Sequence, residues 1–462
     1  MTRTLCVAVL FSALAACEAP SSAVRPPLVN EGEVYLYARP AAPGSGSLAV
    51  ELETASALRN DGSQTALELR EGAPSEAAVP RQRLLGFARL SPGSYAGLVL
   101  KIRRAALVGA PGQSELAVPT ESVHVEGPFS VVQKRATVLW LGLEPEPGGS
   151  PAKLSLVQPD EALPARSAFV TSPEAGTVTV VERHSWQVLS VLEVPGEPAG
   201  VAFDDLQLKA YVARSAEDAV EILDRASGAR PPPIQLRPGD HPMDLALTPD
   251  RSLLVVVNSG SATVSFVDPA RGIELDRAQT GADPVSLTLD HLGRRAYVCN
   301  RTSGTVTVLD LPTHGVVATF GTEAQPIGLR LNRNGDHLFV AHAGSPYLSV
   351  FSVPGYALVG RYLVGLGVAG IELDTRTDLL YLGRRGSPQI EVYEPTTLLP
   401  VGFIDVPGPV AYMTIDDVEN ALLALSPRVG AVAIVDLSSQ RPISVVEVTA
   451  MPARIAVAGE RN

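Results

Sequence analysis

The residues of this 462-residue chain best suited to metal or nucleophilic chemistry are seven histidines and three cysteines. The histidines are His124, His184, His241, His291, His314, His337 and His342. Only His337 and His342 are close, five positions apart, and on a strand that odd spacing puts them on opposite faces. Zinc asks for three or four converging ligands, and no stretch supplies them. No phosphate-cradling glycine loop, nucleophile elbow or HExxH pair is present. Cys6 and Cys17 lie in or at the end of an apolar N-terminal run. Cys299 stands alone between apolar neighbours, which reads as a buried, inert thiol. No metal and no cofactor are expected, and any polar site has to be assembled by elements that bring distant groups together.

Those elements repeat. From Arg166 to Gly459 one unit is written seven times. Its clearest copy, Pro284 to Asp310, opens on a proline and alternates Val285, Leu287 and Leu289. After a polar turn it continues with Tyr297-Val298-Cys299-Asn300, a second turn, and the alternating Val306 and Val308. The prolines at 242, 284 and 326 are spaced by 42 residues. The second segment starts in turn at Phe169, Tyr211, Val255, Tyr297, Phe339, Tyr381 and Leu422. A period of this length marks a solenoid, an array or a propeller. Alternation of period two makes the elements strands, and about four short strands per unit is the make-up of a propeller blade. The first copy lacks its opening strand, and the last, Pro452 to Val457, has nothing after it. Together they complete one blade, so Arg454–Val457 is expected to pair beside Ser167–Ser172 and close the ring. An open stack would instead leave sheet edges bare.

The second segment resembles the Tyr-Val-Thr-Asn signature of YVTN-type bacterial β-propellers. Tyr297-Val298-Cys299-Asn300 and Val255-Val256-Val257-Asn258 match best. Tyr211-Val212-Ala213-Arg214, Phe339-Val340-Ala341-His342 and Tyr381-Leu382-Gly383-Arg384 keep the first half and lose the asparagine. No Trp-Asp dipeptide of the WD40 kind occurs. The resemblance implies an all-β chain whose seven-bladed β-propeller is closed by a C-terminal strand. It also implies that the ends of the second strands and the loops before the prolines gather around one mouth of a central channel. The candidate binding mouth is therefore Arg214, Asp240, His241, Asn258, Asp283, Asn300, His342 and Arg384, with Glu197 and Gln325 in the same loops. Turn support is an alternative role for Asn258 and Asn300. His241 and His342, with Asp240 nearby, could approach each other across such a mouth.

Met1 to Cys17 begins with Arg3 and continues with an apolar run too short to span a bilayer, the layout of a secretory signal. Leu14-Ala15-Ala16-Cys17 resembles the lipobox of bacterial lipoproteins. That resemblance implies diacylglyceryl transfer to the Cys17 thiol, cleavage before it and acylation of the new amine. Several acyl chains anchor firmly, at about 0.8 kcal/mol per buried methylene. Glu18 is not the aspartate associated with inner-membrane retention, which implies the outer membrane. Residues 17–30 read as a tether rich in proline, serine and alanine. Residues 31–158 hold short strand-like runs that do not repeat and suggest a small β-sandwich. Leu90-Ser91-Pro92-Gly93-Ser94-Tyr95 resembles a corner found in small sandwich domains of bacterial surface lipoproteins.

A formal net charge of −12 argues against nucleic acid or an anionic membrane surface as an electrostatic partner. The expected function is that of a lipid-anchored cell-envelope scaffold binding a protein, peptide or glycan, and not an enzyme. The alternative is a propeller enzyme, a lactonase-like hydrolase or a redox-cofactor protein, with its site at the channel mouth.

Overall fold

Alternating β-branched and apolar residues between polar turns build every regular element of any length. The computed structural model describes residues 25–39, 47–70, 79–109, 112–144, 151–160 and 166–457. The signal segment, Cys17 and the first part of the tether lie outside the described residues. No helix among the described residues is long and apolar enough to cross a membrane.

Residues 166–457 form seven antiparallel sheets in sequence order. In blade 4 the strands run Pro284–Leu289, Arg295–Asn300, Thr305–Asp310 and Gly315–Gly321 from the innermost outward. The period-two pleat explains the pattern: Val285, Leu287 and Leu289 are buried in cores shared with the blades on either side. Ser286 and Thr288 lie on the opposite side of the same strand, where they line a cavity among the innermost strands. Each pair of adjacent blades shares one such core. Phe169, Tyr211, Tyr297 and Tyr381, which open the second segments, are among the largest fully buried side chains. Glu197, His241, Asp283, Gln325 and Gly367, each directly before an innermost strand, and Met451, three residues before one, have φ between +47° and +86°. Only one of these left-handed positions is the glycine that favours it.

The ring closes as the repeat predicts. Arg454–Val457 is the innermost strand of blade 1 and pairs antiparallel with Ser167–Ser172, Ala168 opposite Val457 and Thr171 opposite Arg454. Ile455, Ala456 and Val457 are buried there. The Arg183 guanidinium also forks onto the Asp416 carboxylate, tying blade 1 to blade 7.

The preceding residues make two facing five-stranded sheets. One has the order Lys153–Val157, Ala136–Glu144, Gly32–Ala38, Leu84–Leu90 and Glu68–Leu69. The other centres on the long strands Ser47–Arg59 and Gly93–Gly109, with Gln64–Ala66, Gly112–Leu116 and Val123–Val131 beside them. One continuous apolar cluster fills the space between. At the corner expected from Leu90 to Tyr95, the Tyr95 hydroxyl donates to the Ser91 carbonyl at 2.8 Å, pinning the turn between two strands. Leu84–Leu90 and Gly112–Leu116 were not expected as strands, and Lys153–Val157, near the end of the expected sandwich, is an edge strand.

The sandwich is docked on the seam of the ring. Arg81–Gln82 adds a fifth strand, parallel, to the outer edge of blade 7. Tyr35, Tyr37, Leu84 and Val138 share one core with Val188 of blade 1, Val446 of blade 7 and Ile455 of the closing strand. The Trp140 indole donates to the Val188 carbonyl at 3.0 Å, and Arg70 donates to the carbonyls of Val448 and Val429. The end of the expected tether is held as well: the Arg25 backbone N–H donates to the Glu174 carbonyl of blade 1.

Two carboxyls meet at this junction. Burial, and then the neighbouring Glu33 carboxylate, push Glu193 up to about 8, with Arg25 and Arg89 acting in the opposite direction. The Tyr35 hydroxyl donates to Glu33 at 2.7 Å. A carboxyl whose folded value is raised holds its proton in the folded state after the unfolded state has lost it. Its cost is absent below the ordinary range and grows as pH rises towards 8. Glu193→Gln should therefore raise the urea midpoint at pH 8 and leave it almost unchanged at pH 4.5. An equal effect at both values would show that the Glu193 carboxyl is not raised.

Candidate functional site

Arg214, Asn258, Asn300, His342 and Arg384 end the second strands of blades 2 to 6, as the repeat requires. Their side chains turn into the blade. Arg214 bonds the Pro195 carbonyl at 2.8 Å and Glu221 at 3.2 Å. Arg384 forks onto Glu391 at 2.6 and 2.7 Å and reaches the Leu366 carbonyl at 2.8 Å. The Asn258 amide donates to Thr263 and Ser265, and the Asn300 amide to Thr305 and Thr307. The His342 imidazole bonds the Tyr347 carbonyl through Nδ1 at 2.9 Å, and burial pulls its pKa down, which keeps it neutral. Four of the five thus lock the second strand to the residue seven positions later on the third, as Arg–Glu or Asn–Ser/Thr.

This corrects the expectation that these side chains line a mouth. Arg214 and Arg384 do work inside their blades, so truncating them should weaken the fold and not merely a binding surface. Arg384→Ala leaves Glu391 without its charged partner and should cost about 2–3 kcal/mol, the worth of a hydrogen bond to a charged group. Thermal unfolding checks this, and an unchanged midpoint would return Arg384 to the surface.

The loop residues are also mostly engaged. Asp240 is fully buried and accepts a fork from Arg277 at 2.6 and 2.7 Å. Asp283 accepts from Arg301 at 2.8 Å and from the Thr302 hydroxyl at 3.0 Å. His241 is exposed, with Nδ1 3.1 Å from the Ser215 carbonyl. No group of three His, Cys, Asp or Glu among the described residues is placed to hold a metal. The face does carry an open groove of about 510 Å³, lined by Arg301, Thr302, Ser303, Gln325, Ala343 and Arg385 among others. Arg301, Ala343 and Arg385 each directly follow an expected residue. The pleat alternates side chains, so the expectation was one residue short of the surface.

The channel itself holds what the sequence reading missed. Two residues into the innermost strands stand Gly200, Asp244, Ser286, Gly328 and Gly370, and Arg454 and Tyr412 open those of blades 1 and 7. Small residues let neighbouring strands close in: a Cβ added to Gly200 would lie 2.7 Å from the Asp244 Cα. Arg454 reaches past blade 2, its Nε 3.9 Å from the Asp244 carboxylate. Its guanidinium stacks 4.7 Å from the Tyr412 ring centre. The Asp244 oxygens also accept the backbone N–H groups of Leu245 and Leu287 at 3.1 and 3.2 Å. Two positions further on, Arg330 forks onto Glu372 of the next blade at 2.8 and 2.9 Å. Burial pushes the Asp244 carboxyl up against the opposing pull of Arg454, and it pushes the nearby Cys299 thiol up as well, which keeps that thiol unreactive.

Two spaces lie along the innermost strands and share Ser286, Arg330 and Tyr412 in their walls. One, of about 50 Å³, is also bounded by Arg454. The other is a chamber of about 420 Å³ that reaches Asp205, Arg251, Asp290 and His291 in the turns between first and second strands. That opening is on the face opposite the one expected.

No family model matches the chain, and no curated protein matches its sequence. Among solved structures it resembles the Kuenenia stuttgartiensis hydrazine synthase, with 16% identity over 62% of this chain and 94% of that one, at a TM-score of 0.52. A chain of a mitotic checkpoint complex is 15% identical over 56% of this chain and 78% of its own, at a TM-score of 0.47. The first likeness is one of fold. The ring is a seven-bladed β-propeller.

Chemically, the propeller's channel offers hydrogen-bond donors and acceptors around a shaped space. Arg330 and Glu372, and Arg251 and Asp205, face each other in ion pairs, and among the described residues the hydroxyls of Ser286 and Thr288 form no hydrogen bond with a base that would activate them. The signal for Arg454 lay in the sequence: a charged residue in an otherwise apolar closing strand is one that the channel must accommodate.

Proposed function

We propose that this protein is a non-catalytic binding propeller of the bacterial cell envelope, of the YVTN type, anchored by lipid on Cys17 in the outer membrane. Its partner is a protein, peptide or glycan met at a face of the ring. The observation that supports this reading is the use to which the charges are put. At the expected mouth and in the channel they are held in internal pairs, beside an open polar groove and chamber that stay accessible. A catalytic site would instead aim at least one acid or base at the place its substrate takes.

Two measurements test it. Detergent partitioning of the full-length chain expressed in a bacterial host should place it in the membrane fraction, and Cys17→Ala should release it. Turnover of a panel of lactones by the purified protein, abolished in Asp244→Asn, would overturn the non-catalytic reading.

A further inference from the structure

The smaller of the two spaces along the innermost strands is the more selective. At about 50 Å³ it has room for a few water-sized bodies, which excludes a sugar, a nucleotide or a peptide. The charged residues in its wall are Arg330 and Arg454, and among the described residues no carboxylate borders it. Ser286 and Tyr412 are its other polar residues, and the rest of the wall is glycine, alanine and isoleucine. The carboxylates that answer the two arginines lie outside this wall, and they do so unequally. Glu372 takes a fork from Arg330 at 2.8 and 2.9 Å. Asp244 stands 3.9 Å from the Arg454 Nε, beyond hydrogen-bond reach, and its two oxygens already accept the N–H groups of Leu245 and Leu287. Burial also works against the ionised form of Asp244, so its counter-charge weakens as pH falls. The other nitrogens of Arg454 donate to the carbonyls of Ala453 at 3.2 Å and Val285 at 3.5 Å, while the Nε is buried with no hydrogen-bond partner. A buried donor left without an acceptor is costly, and more so on a charged group. Water in this space would satisfy the Nε and leave the charge unanswered. An anion does both, and a wall otherwise of glycine, alanine and isoleucine favours one that sheds its hydration readily. Chloride and nitrate meet that condition better than fluoride or a dianion.

We propose that the channel holds a single small monovalent anion, of chloride or nitrate size, between Arg454, Ser286 and Arg330. It enters by way of the larger chamber, whose wall shares Ser286 and Arg330 with this space. The site goes beyond the binding reading above and does not depend on it. Arg454 belongs to the closing strand of blade 1, Ser286 to blade 4 and Arg330 to blade 5. The ion therefore acts as a pin across the channel, holding the closing strand to the far side of the ring.

The test is thermal unfolding of the purified full-length protein in sodium gluconate, an anion too large for the space, with part of it replaced at constant ionic strength by chloride, bromide, nitrate, fluoride or sulfate. Chloride, bromide and nitrate should raise the midpoint along a saturating curve with a Kd of millimolar or tighter. At a hundred times the Kd the folded-to-unfolded ratio rises about a hundredfold. Fluoride and sulfate should give only the gradual, non-saturating change of a general salt effect. Arg454→Met should abolish the saturating part. Ser286→Ala should weaken the Kd about threefold or more, the loss of one hydrogen bond, and it keeps the test available if Arg454→Met does not fold. Anomalous diffraction from crystals grown in bromide should place a peak within hydrogen-bond reach of the Arg454 Nε. No saturating shift with any of the three ions would overturn the proposal, as would a shift undiminished in every variant that folds. A bromide peak without a saturating shift would mean binding at crystal concentration only, and would overturn it too. Tighter binding of sulfate than of chloride would overturn the argument from size.

Discussion

Deleting residues 452–462 is expected to abolish the cooperative unfolding transition of the propeller at ordinary temperatures. The lost strand supplies the antiparallel pairing of Ala168, Phe169, Val170 and Thr171, together with the buried side chains of Ile455 and Val457. Each of those side chains contributes about 1.5–3 kcal/mol of burial, and each backbone bond about 1 kcal/mol net. That is a large part of the roughly 5–15 kcal/mol by which domains are stable. The edge of Ser167–Ser172 would also be left bare and prone to pair with other copies. Differential scanning calorimetry and light scattering report both effects. A transition within a few degrees of the full-length protein, without aggregation, would show that the ring does not depend on its last strand.

Asp416→Ala should be the most damaging single substitution in the ring, at about 3–5 kcal/mol, the range for breaking a buried ion pair by removing one partner. The Arg183 side chain would stay buried between blades 1 and 7 with no counter-charge. The turn of blade 7 would also lose a cap, because Asp416 accepts the backbone N–H groups of Val418 and Glu419 at 3.0 and 3.1 Å. The double variant Arg183→Met, Asp416→Asn removes the charge and keeps the cap, so it should recover most of the loss. Chemical denaturation of the three proteins decides: if the double variant is no more stable than the single one, the pair is not the cause.

The ring was legible because its information is repeated. A buried Tyr297 in blade 4 predicts Tyr211 and Tyr381, and each proline predicts the next, so one weak copy such as Leu422 does not spoil the count. The sandwich was legible only as a class. Its strands are single instances without a period to check them, and Leu84–Leu90 went unseen among arginines and glutamine. The site was hardest to read. The channel position changes from glycine to Asp244, Ser286, Tyr412 and Arg454 around the ring, so no repeat marks it. Asp244 and Arg454 are also partners far apart in the chain, brought together only by closure. The expected mouth residues were rightly placed at strand ends. Their side chains were misdirected because a strand end can point into its own blade, where a partner seven residues on, such as Glu221 or Glu391, was waiting.

The bond from Arg25 to Glu174 has a consequence for orientation. Glu174 lies in the turn that follows Ser172, on the face of the open groove. With lipid on Cys17, the eight residue steps to Arg25 reach at most ~29 Å when fully stretched. The groove side is then kept close to the bilayer like the underside of a moored buoy. The channel chamber opens on the other side, towards whatever drifts past.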